Sequence, residues 1–185
     1  MTIATSSRIS LSEFLDLSDT KPASEFIDGK IIQKPMPQGE HNTIQTDLSA
    51  AINQVAKPLK IARAYTELRC LCGQDGTVPD ITVFYWERIP LTASGRVANR
   101  FDIVPDWSIE ILSPGQSQTL VMAKILNCLA HGTKLGWLID PGASAIMVIS
   151  PDQRIDILTG DSRLPVLAGI ELVLTPAEIF SWLNL

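Results

Sequence analysis

Val104-Pro105-Asp106-Trp107-Ser108-Ile109-Glu110-Ile111-Leu112-Ser113-Pro114-Gly115 carries a short, mostly apolar segment between two sets of breakers. Trp107 to Leu112 reads as an interior strand, and Ser113-Pro114-Gly115 closes it with turn residues. Glu110 stands inside that strand with an isoleucine on either side. A carboxylate there is costly unless its charge is compensated, so Glu110 calls for either a cationic side chain such as arginine or a metal ion. The tripeptide Val104-Pro105-Asp106 also occurs as Val78-Pro79-Asp80, again ahead of an apolar strand. Asp106 is too far from Glu110 to share one ion with it, because four residues of extended chain separate their Cα atoms by about 13 Å. Asp80 belongs to a different strand, and neighbouring strands lie only about 4.8 Å apart, so Asp80 and Glu110 can chelate one hard cation. Taken alone, Asp80 also reads as a solvated turn acid after proline.

Upstream, Ser10-Leu11-Ser12-Glu13 has the spacing of a capping box and predicts a short helix through Phe14 and Leu15. Asp28-Gly29, between Phe26-Ile27 and Ile31-Ile32, predicts a two-residue hairpin, because both central positions of that turn take positive φ. Ile44, Leu48, Ile52 and Val55 recur at steps of three and four, the stripe of an amphipathic helix running from His41 to Val55 and ended by Lys57-Pro58. Ile61 to Leu71 and Val78 to Tyr85 are β-like segments with Gly73-Gln74-Asp75-Gly76 as their hairpin connection. Downstream, a helix is expected from about Ser117 to Gly132, then strands over 135–139 and 145–149 around Pro141-Gly142. Thr175-Pro176-Ala177-Glu178 opens a last helix. With no repeat and no linker in this order, the expected architecture is α/β (α+β), a mixed β-sheet flanked by helices in one domain spanning residues 1–185.

A chain of 185 residues, 45% hydrophobic and 19% charged, has the composition and size to fold around its own core. No apolar run approaches the roughly 18 residues of a membrane span, and the opening MTIATSSRIS lacks the apolar core of a signal peptide. A cytoplasmic protein with no membrane partner is expected. Cys70, Cys72 and Cys128 are odd in number and are expected to be reduced, semi-buried thiols. The formal charge of −5 argues against coating nucleic acid by bulk electrostatics, which needs clustered Lys and Arg. A local basic cleft is expected instead in the loop from Trp86 to Arg100, where Arg88, Arg96 and Arg100 face only Glu87, a net charge of +2.

Several motifs combine in a particular order: Glu25-Phe26-Ile27-Asp28-Gly29, His41 opening the first long helix, Pro79-Asp80-Ile81, Ile109-Glu110-Ile111-Leu112-Ser113-Pro114, Lys124, Gly132 and Trp137-Leu138-Ile139-Asp140-Pro141. Together they resemble the Uma-type endonuclease family, a branch of the PD-(D/E)XK restriction-endonuclease-like superfamily, over nearly the whole length. The resemblance implies a restriction-endonuclease-like fold and a metal-dependent nuclease acting on DNA. Asp80 and Glu110 would bind Mg2+ (or Mn2+) together with the carbonyl of Ile111. The superfamily's lysine two positions after the glutamate is absent, since Leu112 stands there. Lys124 matches the position on the next helix to which the Uma-type branch moves it. Spaced four residues from both Leu120 and Cys128, Lys124 can point back to the sheet, and its ammonium is expected within about 4 to 6 Å of Asp80 and Glu110. Glu25 is the third acid the resemblance implies, completing the metal shell or orienting water. His41, in a first helical turn expected to face solvent, suits support or phosphate contact better than general-base work. Cys128 and Gly136 depart from the family pattern, which has aromatics there, and Gln116, Ser117 and Gln118 are a reduced form of its polar cluster.

The main reading is therefore a Mg2+-dependent DNA endonuclease, with a homodimer expected because two cuts in a duplex favour two-fold symmetry. A catalytically inactive nuclease-fold binding or interaction protein is the alternative, favoured by the missing lysine and the acidic charge. A hydrolase of small phosphorylated compounds is a third reading, unsupported by any phosphate-cradling glycine loop.

Overall fold

Asp28 and Gly29 take φ of 50° and 76°, so the expected turn forms and joins β1 (Ser24–Ile27) to β2 (Lys30–Gln33) as an antiparallel hairpin. The computed structural model describes residues 9–184; the polar opening expected to lack a signal peptide lies, as residues 1–8, largely outside the described residues. Helix α1 (Leu11–Leu15) starts on a complete capping box between Ser10 and Glu13. Its buried Phe14 stacks on Phe26 at 5.5 Å and covers β1.

The chain then crosses between two sheets, where a single mixed sheet was expected. β3 (Ala62–Thr66) ends at Glu67, whose φ of 48° turns the backbone, and the chain resumes as β4 (Cys70–Cys72) in the other sheet. The segment read as one strand from Ile61 to Leu71 is thus two. Its second half, β4, forms the hairpin with the short β5 (Asp75–Thr77), while its first half, β3, pairs antiparallel with β6 (Ile81–Tyr85), as expected of the two long segments. One sheet has the order β2-β1-β5-β4. The other joins β3 and β6 to β7 (Trp107–Ile111), β8 (Leu135–Asp140), β9 (Ala145–Ile149) and β10 (Ile155–Thr159), in the order β10-β9-β8-β7-β6-β3. Within it only β7 and β8 run parallel. That pair needs a crossover, and α3 (Gln118–Ala130), capped by the Ser117 side chain, supplies it.

Alternation along the strands sorts side chains to two faces. Ile109, Ile111, Trp137 and Ile139 meet Ile44, Leu48 and Ile52 of α2 (Gly39–Ala56), so the predicted stripe is the buried one. Trp107 and Trp137 pack edge to face at 4.7 Å in this layer, and α4 (Pro176–Ser181) closes it with Ile179. On the opposite face Val121, Ile125 and Leu129 of α3 pack against Leu138, Met147 and Ile149. Glu110 belongs to this α3 face, because it alternates with Ile109 and Ile111. Gly136 lets α3 approach: a Cβ there would fall 2.3 Å from Ile125 Cγ2. Gly136→Ala is therefore expected to lower stability by about 1–3 kcal/mol through overpacking, read as a lower denaturant midpoint with an unchanged slope.

The cysteines correct the expectation of reduced thiols. Cys72 of β4 and Cys128 of α3 form a disulfide across 56 residues of chain, and Cys70 alone is free and buried. Next to the bridge, the Asn127 side-chain amide donates to the Cys72 carbonyl at 3.0 Å and to Asp75 Oδ2 at 2.9 Å. These contacts fasten α3 to the smaller sheet. Among the described residues no helix is long and apolar enough to cross a membrane.

Candidate functional site

The two sheets and two long helices meet around a group of buried charges. Asp80 enters β6 and Glu110 lies on the neighbouring β7, which is antiparallel to it with Ile81 opposite Ile109. Both carboxylates are nearly inaccessible, at 2% exposure each. Asp80 Oδ2 accepts the Ile111 backbone N–H at 2.7 Å and lies 3.1 Å from His41 Nε2. Asp80 Oδ1 accepts from the Lys34 ammonium at 2.6 Å. The same ammonium stands 4.0 Å from Glu110 Oε2 and donates to the Val78 carbonyl at 2.7 Å. Lys124 reaches from α3 to Glu110 Oε1 at 2.9 Å and to Glu25 Oε2 at 2.8 Å and Oε1 at 2.9 Å. Glu25, on β1, also accepts the Val78 N–H at 2.8 Å. Gln45, one helical turn beyond His41, donates to the Asp80 carbonyl at 2.8 Å.

Counted as ionised, three carboxylates oppose two ammoniums, which leaves one negative charge in excess inside the protein. Burial and the nearest charges together set the titration directions. Burial pushes Glu110 up to about 7, and the nearby Asp80 and Glu25 add to the effect although Lys124 and Lys34 oppose it. Burial would raise Asp80 too, but Lys34 and His41 beside it hold its carboxyl well below the usual range. The Lys124 ammonium loses hydration on burial, yet Glu110 and Glu25 outweigh that loss and keep its pKa above the ordinary value. For Lys34 burial is likewise outweighed by Glu110 and Asp80.

Of the residues expected here, Asp80, Glu110, Glu25 and Lys124 converge. Lys124 differs from expectation in one respect: it pairs with Glu110 and Glu25, and the lysine on Asp80 is Lys34, which sequence reasoning passed over. Lys34 directly follows the exposed strand β2, where a lysine reads as an ordinary solvated end. His41 is also corrected, since it is 6% exposed and turned to Asp80 rather than to solvent. Asp106 stays apart from the site, fully buried, with Arg88 at 2.6 Å and the Tyr85 N–H donating at 2.9 Å. That pairing removes Arg88 from the expected basic cleft, and Arg100 is paired with Asp102 at 3.2 Å. The loop's net charge of +2 is therefore offset by acids just beyond it.

As they stand, no three His, Cys, Asp or Glu side chains among the described residues are gathered as a metal-holding group; lysines lie between the acids. The donor chemistry nonetheless fits a hard cation. One oxygen of Asp80 and one of Glu110, from adjacent strands, both turn to the Lys34 ammonium, as they would to a divalent ion. Beside Lys34, His41, Asp80 and Gln116 the site has only about 10 Å3 of open space, room for about one water. Pro37 and Glu67 separate it from a groove of about 640 Å3 that runs past Lys21, Arg69 and Arg100. Asp19 and Asp102 balance two of those cations, with Asp19 2.9 Å from Arg69.

Residues 11–177 match the model of the family Uma2, described as "Putative restriction endonuclease". Among solved structures, the chain is similar to a "putative nuclease belonging to DUF820" from Anabaena variabilis ATCC 29413. The two are 54% identical over 95% of this chain and 99% of that one, with a TM-score of 0.92. No curated protein matches the chain.

Proposed function

This chain belongs to the Uma2 family, and from that premise we propose that it is a metal-dependent DNA endonuclease hydrolysing phosphodiester bonds. The observation that carries the reading is the convergence of Asp80 Oδ1 and Glu110 Oε2 on one cationic centre. Asp80 and Glu110, with the carbonyl of Ile111, would hold Mg2+ or Mn2+. Such an ion lowers the pKa of bound water and offsets charge on the phosphate oxygens.

The protein's own groups do the rest. The Ile111 N–H and His41 fix one oxygen of Asp80, leaving the other directed inward. Lys124 holds a positive charge beside Glu110, where it orients the attacking water or stabilises charge growing on the phosphate. Both carboxylate oxygens of Glu25 accept from that ammonium and fix its place. Three acids and a lysine from four separate elements are more than a structural ion pair requires.

Supercoiled plasmid is the test substrate. In Mg2+ or Mn2+ the protein is expected to convert it to nicked circles, and excess chelator should stop the conversion. No cleavage in either metal would favour the second reading, a nuclease fold that binds without cutting, which the charge-balanced groove and the nearly filled site support.

A further inference from the structure

We propose that Lys34 is a resident counter-cation for Asp80 and Glu110, and that a divalent metal binds only by displacing its ammonium. This rests on the metal reading above and adds a role for a residue outside the acid and lysine set that reading uses. The geometry is direct: Asp80 Oδ1 and Glu110 Oε2 lie 2.6 and 4.0 Å from Lys34 Nζ. A cation drawn to those oxygens meets an ammonium already there. With space for about one water beside it, the site cannot take a hydrated ion and keep Lys34 in place.

Lys34, rather than Lys124, is the group that leaves. Lys124 is held by both oxygens of Glu25 as well as by Glu110. The charged partners of Lys34 are the two proposed metal ligands themselves, and its remaining contact is the Val78 carbonyl. It is also placed to swing out. It follows the edge strand β2, whose residues are all exposed, and precedes Pro35 at the mouth of the site. The charge count agrees. With both lysines in place the five groups carry one excess negative charge, and replacing Lys34 by a dication brings the total to zero, whereas adding the dication alone would leave one excess positive charge. A like charge held against a metal weakens its binding.

Mn2+ titration of the metal-free protein by calorimetry, comparing wild type with Lys34→Met, tests this. Met keeps the length of the stem and removes the charge, so Lys34→Met is expected to bind Mn2+ at least about tenfold more tightly. Equal or weaker binding overturns the proposal, while a protein that binds no Mn2+ in either form overturns the metal reading with it. A second measurement needs no variant. Acylation of wild-type Lys34, read by mass spectrometry against exposed Lys57, should be low in chelator and rise several-fold in saturating Mn2+. Calorimetric binding of Mn2+ with Lys34 still protected would leave the metal site standing and sink the displacement.

Discussion

Lys124→Ala is expected to slow metal-dependent nicking of plasmid by at least about a hundredfold, the usual loss when a group stabilising transition-state charge is removed. Its ammonium lies 2.9 Å from Glu110 and 2.8 Å from Glu25, and no other described cation is paired with Glu25. The same burial predicts a second effect. Truncating one partner of a buried pair leaves the others uncompensated, which costs about 3–5 kcal/mol when nothing relieves it. Lys124→Ala should therefore melt well below wild type in chelator and recover much of the difference in Mn2+, because the cation then restores positive charge beside Glu110. Lys124→Arg separates the roles: it keeps charge but not the compact three-donor ammonium, so it should regain stability more than activity. If Lys124→Ala nicks plasmid within a few-fold of wild type, the lysine is only a structural counter-ion.

The local sequence carried much of this architecture. The Asp28-Gly29 turn, the α2 stripe and the caps of α3 and α4 are short-range signals, and each formed where the residues dictated. Glu110 was legible for a related reason, because an acid between two isoleucines in a strand has few outcomes that avoid a bare buried charge. What could not be read depends on contacts between distant elements. Glu67 looks like any polar strand residue, yet its positive φ sends β3 and β4 into different sheets. Cys72 and Cys128 bond across 56 residues only because α3 lies against that second sheet. Lys34 and His41 are adjacent to exposed or terminal positions and become buried through the same juxtaposition. The net charge of the arginine loop misleads because Asp102 stands only two residues beyond Arg100, and the fold brings Asp106 back to Arg88.

The duplicated Val-Pro-Asp tripeptide gives the sharpest test, because its two aspartates end the same three residues and the fold puts them in different places. Asp80→Asn is expected to weaken Mn2+ binding by at least about a hundredfold and to take nicking below detection, since an amide oxygen is a poorer ligand for a hard cation than a carboxylate. It also removes charge facing Lys34 and His41. The sign of the stability effect follows from the depressed pKa of Asp80. A carboxyl titrating lower in the folded state than in the unfolded chain stabilises the fold above the ordinary aspartate pKa of about 3.9 and loses that contribution as the pH falls through the folded value. The stability deficit of Asp80→Asn should thus be full at neutral pH and shrink in acid. Asp106→Asn breaks a pair with Arg88 at the far end of β6 and leaves the lysines, His41 and Glu110 untouched. It should lower the melting temperature while Mn2+ affinity and nicking stay within a few-fold of wild type. A loss of metal binding in Asp106→Asn as large as that in Asp80→Asn would reverse the assignment, because no arrangement of β7 lets Asp106 and Glu110 meet at one ion.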